Sequence, residues 1–278
     1  MPNSKPFFNK QASPRIIAVT NQKGGVGKTT TAINLGTALS AVGENVLMID
    51  LDPQGNASTG LGIPPSQRSK SIYQVLVDQL PLAEAIIKTA VPRLSVVPAN
   101  ADLSGAEIEL YNIKRRSFRL RDSLQELNGS TQGHGPQVDY VLIDCPPSLN
   151  ILTLNALTAA HAVLVPLQCE FFALEGLSKL LKTVELVRGS LNPRLEIQGI
   201  VLTMFDRRNK LSDQVAADVR QHMGDKVYAT VIPRNVRISE APSYGKPALL
   251  YDYRCAGSQA YIRLAGELIR RERALRAA

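Results

Sequence analysis

The chain is 278 residues long, 44% hydrophobic, with a net charge of +8; it can bury the core of one large α/β domain or two small ones, and one is expected. It has no run of 18 apolar residues and its first fourteen residues lack the apolar stretch of a secretory signal, so the expectation is a cytoplasmic protein with no membrane-spanning helix. Three widely spaced cysteines, Cys145, Cys169 and Cys255, contain no CxxC pair and argue against a disulfide framework or a zinc site.

Residues 1–14 read as a disordered tail and 15–278 as a single domain. In chain order, 16–20 reads as a strand, 28–41 as a helix, 46–50 and 94–97 as strands, and 104–127 as a helix. After a loop at 128–137 come strand 140–144, helix 151–159, strand 162–167, helix 174–187, strand 199–205, helix 212–223, strand 227–232 and helix 258–276. Most of these strands are apolar throughout, as strands buried on both faces are. The expected fold is a single-domain α/β P-loop fold, a mostly parallel twisted sheet of about seven or eight strands with helices on both faces.

The first strand runs into Lys23-Gly24-Gly25-Val26-Gly27-Lys28-Thr29-Thr30, and a helix begins at Lys28. Glycines let successive backbone N–H groups aim at one anion, and the helix N-terminus adds partial positive charge. In such a loop Lys28 reaches the β and γ phosphates of ATP or ADP, and the Thr29 hydroxyl binds Mg2+. The general pattern GxxxxGK[ST] requires Gly where Gln22 stands, and here Lys23 precedes two glycines instead. A second cation near the β–γ bridge would stabilise charge developing in phosphoryl transfer.

In an open parallel sheet the ligand lies beyond the carboxyl ends of the strands. Two expected strands end in acids there: Asp50-Leu51-Asp52-Pro53-Gln54-Gly55-Asn56 and Asp144-Cys145-Pro146-Pro147-Ser148. Asp144 sits where an acid holding Mg2+ through a water belongs, and Asp52 could orient or activate the attacking water. Side chains alternate along a strand, so Asp50 and Asp52 share a face and spacing alone does not choose between them.

The loop resembles the deviant Walker A box, KGGxGK[ST][ST], and the chain beyond its tail is similar to the ParA/Soj-type chromosome or plasmid partitioning ATPases. The likeness rests on that loop, on Asp50 to Asn56 and on Ile143 to Ser148. It extends over Gln168-Cys169-Glu170 with Ala173 to Leu177, Thr203-Met204-Phe205-Asp206, and Ile232 to Arg237 with Ser239 to Ser243. It implies an ATP-dependent homodimer, a sandwich in which Lys23 reaches the nucleotide of the other subunit. It also implies sequence-independent binding of double-stranded DNA, hydrolysis stimulated by a ParB-type centromere-binding protein, and a nucleoid-associated location. Carried over by position, Lys23, Lys28 and Asp52 are the catalytic residues, with Asp52 preferred to Asp50. Met204 and Pro233 fall in segments that flank the adenine, and Arg208 and Arg237 contact DNA, although Arg207 leaves the register of the first contact open. Residues 189–278 hold 15 Lys and Arg against 9 Asp and Glu, which suits non-specific, salt-sensitive contact with phosphates.

Other readings share parts of this pattern. A MinD-like membrane-cycling ATPase has the same loop but docks through a C-terminal amphipathic helix; here the stripe Tyr261, Leu264, Ala265, Leu268 and Ile269 is expected to pack onto the domain, so no membrane partner is expected. An iron–sulfur reductase needs paired cluster cysteines, which the sequence lacks. A vestigial scaffold has no need of Lys28, Thr29, Asp52 and Asp144 together. Lys114-Arg115-Arg116 with Arg119 and Arg121 reads as the solvated face of helix 104–127, and His134, His161 and His222 have no assigned role.

Overall fold

β1 (Arg15–Val19) sends Ile16 and Ala18 into one apolar cluster and Ile17 and Val19 into another, and all four are buried. A strand covered on both faces has no polar side to present, which accounts for the unbroken apolar runs. The computed structural model describes residues 13–129 and 137–277; the expected tail at 1–14 and loop at 128–137 fall largely outside them. Among the described residues, β1 is joined by β2 (Val46–Asp50), β3 (Ile87–Lys88), β4 (Leu94–Val97), β5 (Tyr140–Asp144), β6 (Ala162–Gln168) and β7 (Glu196–Thr203) in one sheet of order β3-β4-β2-β5-β1-β6-β7. Every pairing is parallel except that of β3 with β4.

The connections carry α1 (Lys28–Ala41), α2 (Asn56–Gly60), α3 (Ile72–Leu76), α4 (Ala106–Glu109), α5 (Arg119–Gly129), α6 (Ile151–Ala159), α7 (Ala173–Ser190), α8 (Lys210–Met223), α9 (Val236–Glu240), α10 (Ala248–Tyr251) and α11 (Ala256–Ala277). One face of the sheet packs α1 and α11, and the other packs α5, α6, α7 and α8. The α11 stripe is core: Tyr261, Leu264, Ala265 and Leu268 are buried, and the Tyr261 hydroxyl lies 3.3 Å from Thr31 Oγ1 on α1. No helix among the described residues is long and apolar enough to cross a membrane.

Two expected elements differ. Residues 227–232 are not a strand; they run beside β7 with isolated bridges at Val227 and Pro233. The middle of the segment leaves the ladder because the N–H groups of Ala229 and Thr230 donate to the Glu267 carboxylate on α11 at 2.8 and 2.9 Å. The seventh strand is instead the two-residue β3 at the opposite edge. The expected helix 104–127 is broken, because Arg115 takes a left-handed conformation (φ 60°) and Asn155 of α6 binds the Arg116 carbonyl and the Leu120 N–H. The basic stretch 114–116 thus lies outside an α-helix, at the start of a 3-10 turn over Arg116–Phe118, with Arg115 and Arg121 stacked over Phe118 and Arg115 paired with Asp122.

Candidate nucleotide site

The glycine-rich loop leaves β1 at the centre of the sheet, between β5 and β6. Gly25 and Gly27 both have positive φ, 74° and 86°, a conformation that costs an L side chain free energy but lets neighbouring N–H groups converge. The surroundings fix the loop by naming its carbonyls and amides one by one. Thr203, the last residue of β7, donates to the Val26 carbonyl at 2.8 Å. Asn21 donates to the Pro166 carbonyl and accepts from the Lys23 N–H. The Gln22 side chain, at the position where the general pattern has glycine, donates to the Thr183 hydroxyl on α7 at 2.9 Å. Gly27 then starts α1, which leaves the N–H groups of its first turn for an anion.

Lys28 is buried and its Nζ donates to the Lys23 carbonyl at 2.8 Å, so its ammonium closes the mouth of the loop. Burial lowers its pKa, with Asp144 the first of the groups that pull it back up. The Lys23 ammonium pairs with Glu170, just beyond β6. Only Lys28 of the two lysines bonds the loop backbone. Next to Glu170, Phe171 and Phe172 stand exposed in an edge-to-face pair with centroids 5.0 Å apart.

Asp50 and Asp144 are paired in register on β2 and β5, and both are fully buried. Asp50 is occupied: it accepts the Ser58 N–H at 2.8 Å, the Ser58 hydroxyl at 2.6 Å and the Asp52 N–H at 3.3 Å. Burial raises its pKa to about 6 against the pull of these bonds. Asp144 has both oxygens buried without a well-formed hydrogen bond. Burial, and then the charge of Asp50, push its carboxyl well above the usual range, and the nearby Thr29 hydroxyl and the Lys28 ammonium offset this only in part. An orphaned buried carboxylate facing a threonine hydroxyl fits a divalent cation brought in with a nucleotide. Among the described residues no three His, Cys, Asp or Glu side chains form a metal site without such help.

Asp52 is half-buried, and its Oδ1 accepts only the Gln54 N–H, at 3.0 Å. Its loop is pinned by the buried Arg68, which donates to the Gly55 and Ile63 carbonyls and the Thr59 hydroxyl. Met204 and Pro233 come together beside Gly25, Gly27 and Thr30 around a pocket of about 380 Å³. Met204 does so in a left-handed conformation (φ 48°), one that few residues other than glycine adopt. Arg208 and Arg237 do not line this pocket. Arg208 clasps Asp206 through two hydrogen bonds of 3.0 and 2.9 Å and holds that carboxyl down to about 2. Arg237 bonds Glu240 at 2.9 Å and lies 3.6 Å from Asp252.

Sequence reasoning did not find Thr203, Asn21, Glu170, Ser58 or Arg68. Asn21 adjoins the loop and Glu170 lies within a quoted block, but nothing in the sequence links Arg68 to Gly55, because the contact depends on how the chain returns after β2.

A family described as an AAA domain matches residues 14–197. The chain is 68% identical over 259 residues to a chromosome partitioning protein ParA of Caulobacter vibrioides, covering 93% of this chain and 95% of that one. It is 52% identical to the sporulation initiation inhibitor protein Soj of Bacillus subtilis, covering 91% and 98%. Among solved structures, a cobyrinic acid a,c-diamide synthase of Mycobacterium smegmatis with bound ADP and magnesium superposes with a TM-score of 0.79 at 38% identity, covering 94% and 96%. The cell division ATPase MinD of Pyrococcus furiosus superposes with a TM-score of 0.73 at 27% identity, covering 92% and 98%.

Proposed function

Because this chain belongs to the ParA/Soj family of chromosome-partitioning ATPases, we propose that it segregates DNA through an ATP-driven dimer, with residues 15–278 as the ATPase domain. It is an ATPase that uses ATP and Mg2+. The observation that carries the dimer reading is the division of labour between the two lysines: Lys28 bonds the backbone of its own loop, while Lys23 is held at Glu170. In the dimer, Lys23 leaves Glu170 and reaches the nucleotide of the partner subunit. The exposed pair Phe171 and Phe172 lies beside it and supplies apolar surface for that contact.

At the phosphates, the N–H groups of residues 24–30 cradle the oxygens and Lys28 neutralises charge on the β and γ groups. Thr29 and Asp144 would hold Mg2+, which when bound neutralises charge on the phosphate oxygens. Asp52 orients the attacking water and takes its proton, a role open to it because Asp50 is already committed to Ser58. Met204 and Pro233 flank the adenine.

The dimer then binds double-stranded DNA without regard to sequence, through arginines that include Arg208 and Arg237, and a ParB-type centromere-binding protein stimulates hydrolysis. The protein accordingly resides on the nucleoid in the cytoplasm. Sedimentation with a non-hydrolysable ATP analogue, followed by binding to unrelated DNA duplexes, tests this reading. A dimer that forms with ATP but not ADP and binds every duplex alike supports it; a species indifferent to nucleotide overturns it.

A further inference from the structure

The two arginines singled out by the sequence are not the free cations of their surface. Arg208 is engaged by Asp206, and Arg237 by Glu240 and Asp252. Next to them a cleft of about 1260 Å³ opens between the loop after β7, the segment 229–235 and α11. Arg208 lines it at one edge with Arg207, Arg234, Arg263 and Arg270, and the last four are exposed and form no ion pair among the described residues. The two acids of the cleft are committed elsewhere: Asp206 to Arg208, and Glu267 to the Ala229 and Thr230 N–H groups and Arg271.

Four like charges gathered with no ion pair of their own repel one another, and only Asp206, already clasped by Arg208, offsets Arg234 from nearby. The arrangement instead suits an extended anion. Arg263 and Arg270 are seven residues apart on one helix, about 10.5 Å along its axis, so their side chains fall on one face and can reach neighbouring phosphates of one strand. Guanidinium groups on exposed stems bind such oxygens without reading bases.

We propose that this cleft, through Arg207, Arg234, Arg263 and Arg270, is the principal seat of the DNA backbone, with Arg208 and Arg237 at its margin. The inference rests on the DNA reading given above and replaces its contact residues. Pro233, Arg234 and Asn235 line both this cleft and the 380 Å³ nucleotide pocket. Arg234 is thus the cleft arginine that stands on the shared wall, where an adenine in the pocket can shift it.

The test is a salt titration of binding to a labelled duplex of arbitrary sequence, with the non-hydrolysable analogue present. It compares the full-length wild type with R263Q/R270Q, R263K/R270K and R208A/R237A, and ATP-dependent dimer formation is measured on every sample. The glutamine variant is expected to lose at least about tenfold in affinity for any sequence and to flatten the log–log salt slope by about 1.8 for each subunit of the dimer that engages the duplex, the value for two lost phosphate contacts. The lysine variant should keep most of both, and R208A/R237A should lose less than the glutamine variant, since those arginines must first give up their acids. A glutamine variant that dimerises and binds DNA like the wild type overturns the cleft while leaving the DNA reading intact. If that variant instead loses only its stimulation by a ParB-type protein, the cleft is a protein-docking site and the proposal is wrong. A wild type that dimerises but ignores DNA overturns the DNA reading itself.

Discussion

Asp50 and Asp144 face each other in register across two parallel strands, yet Asp50 has Oδ2 satisfied by Ser58 and Oδ1 by the Asp52 N–H, while neither oxygen of Asp144 has a well-formed hydrogen bond. Burial raises both carboxyls, Asp50 to about 6 and Asp144 well above its usual range. Two buried acids side by side cannot both ionise without cost. The cost falls on the acid left without partners, and a bound cation removes it.

Asp144→Asn should therefore stabilise the nucleotide-free protein while removing its response to Mg2+ and ATP. A raised folded-state pKa contributes stability that is present below the unfolded value, near 4, and is lost as pH rises through the folded one. The advantage of the variant over wild type is accordingly smallest at about pH 4 and below and grows with pH above that, by about 1.4 kcal/mol for each pH unit between the unfolded and folded values. Thermal melts across that range check it, and wild type should show the larger upward shift on adding ATP with Mg2+.

Asp52→Ala should keep ATP binding and the ATP-dependent dimer but lose at least about a hundredfold in turnover, the usual contribution of a positioned base. Asp50→Ala should instead lower the melting temperature, because the Ser58 N–H and hydroxyl lose their acceptor. Steady-state kinetics set against thermal melts separates the two roles.

Thr203→Val removes the hydroxyl that holds the Val26 carbonyl. An unpaired buried carbonyl costs about 1–3 kcal/mol, so ATP affinity should fall by about tenfold if the loop relaxes, with kcat less affected. Calorimetric titration with ATP reads this directly.

Glu170→Gln frees the Lys23 ammonium from its ion pair within the subunit. Dimerisation in ATP should then need less protein, by a few-fold, since an exposed pair is worth up to about 1 kcal/mol. Sedimentation across a concentration series measures the shift.

Much of this was legible in the sequence because its signals are local. The strands around the site are apolar runs ending in acids, and the loop identifies itself by its lysines and glycines. The seventh strand was misplaced because 227–232 has strand-like composition, but its central N–H groups go to Glu267, nearly forty residues away in the chain. The broken helix at 104–127 has a similar cause, since Asn155 takes up backbone groups that a continuous helix would have satisfied internally. At the site, spacing could not choose between Asp50 and Asp52; Ser58, eight residues beyond Asp50, distinguishes their surroundings. The pairing state of Arg208 and Arg237 was equally out of reach, although Asp206 lies two residues from Arg208.

The central claim, that Lys23 completes the site of the other subunit, is tested most directly by mixing two inactive variants, Lys23→Ala and Asp52→Ala. In a mixed dimer the Lys23→Ala subunit keeps Asp52 and receives Lys23 from its partner, so one site of two is whole. With random pairing, ATPase activity should return to about a quarter of wild type. If Lys23 serves the nucleotide of its own subunit, no site in the mixture is whole, and activity that stays at the level of the separate variants contradicts the account.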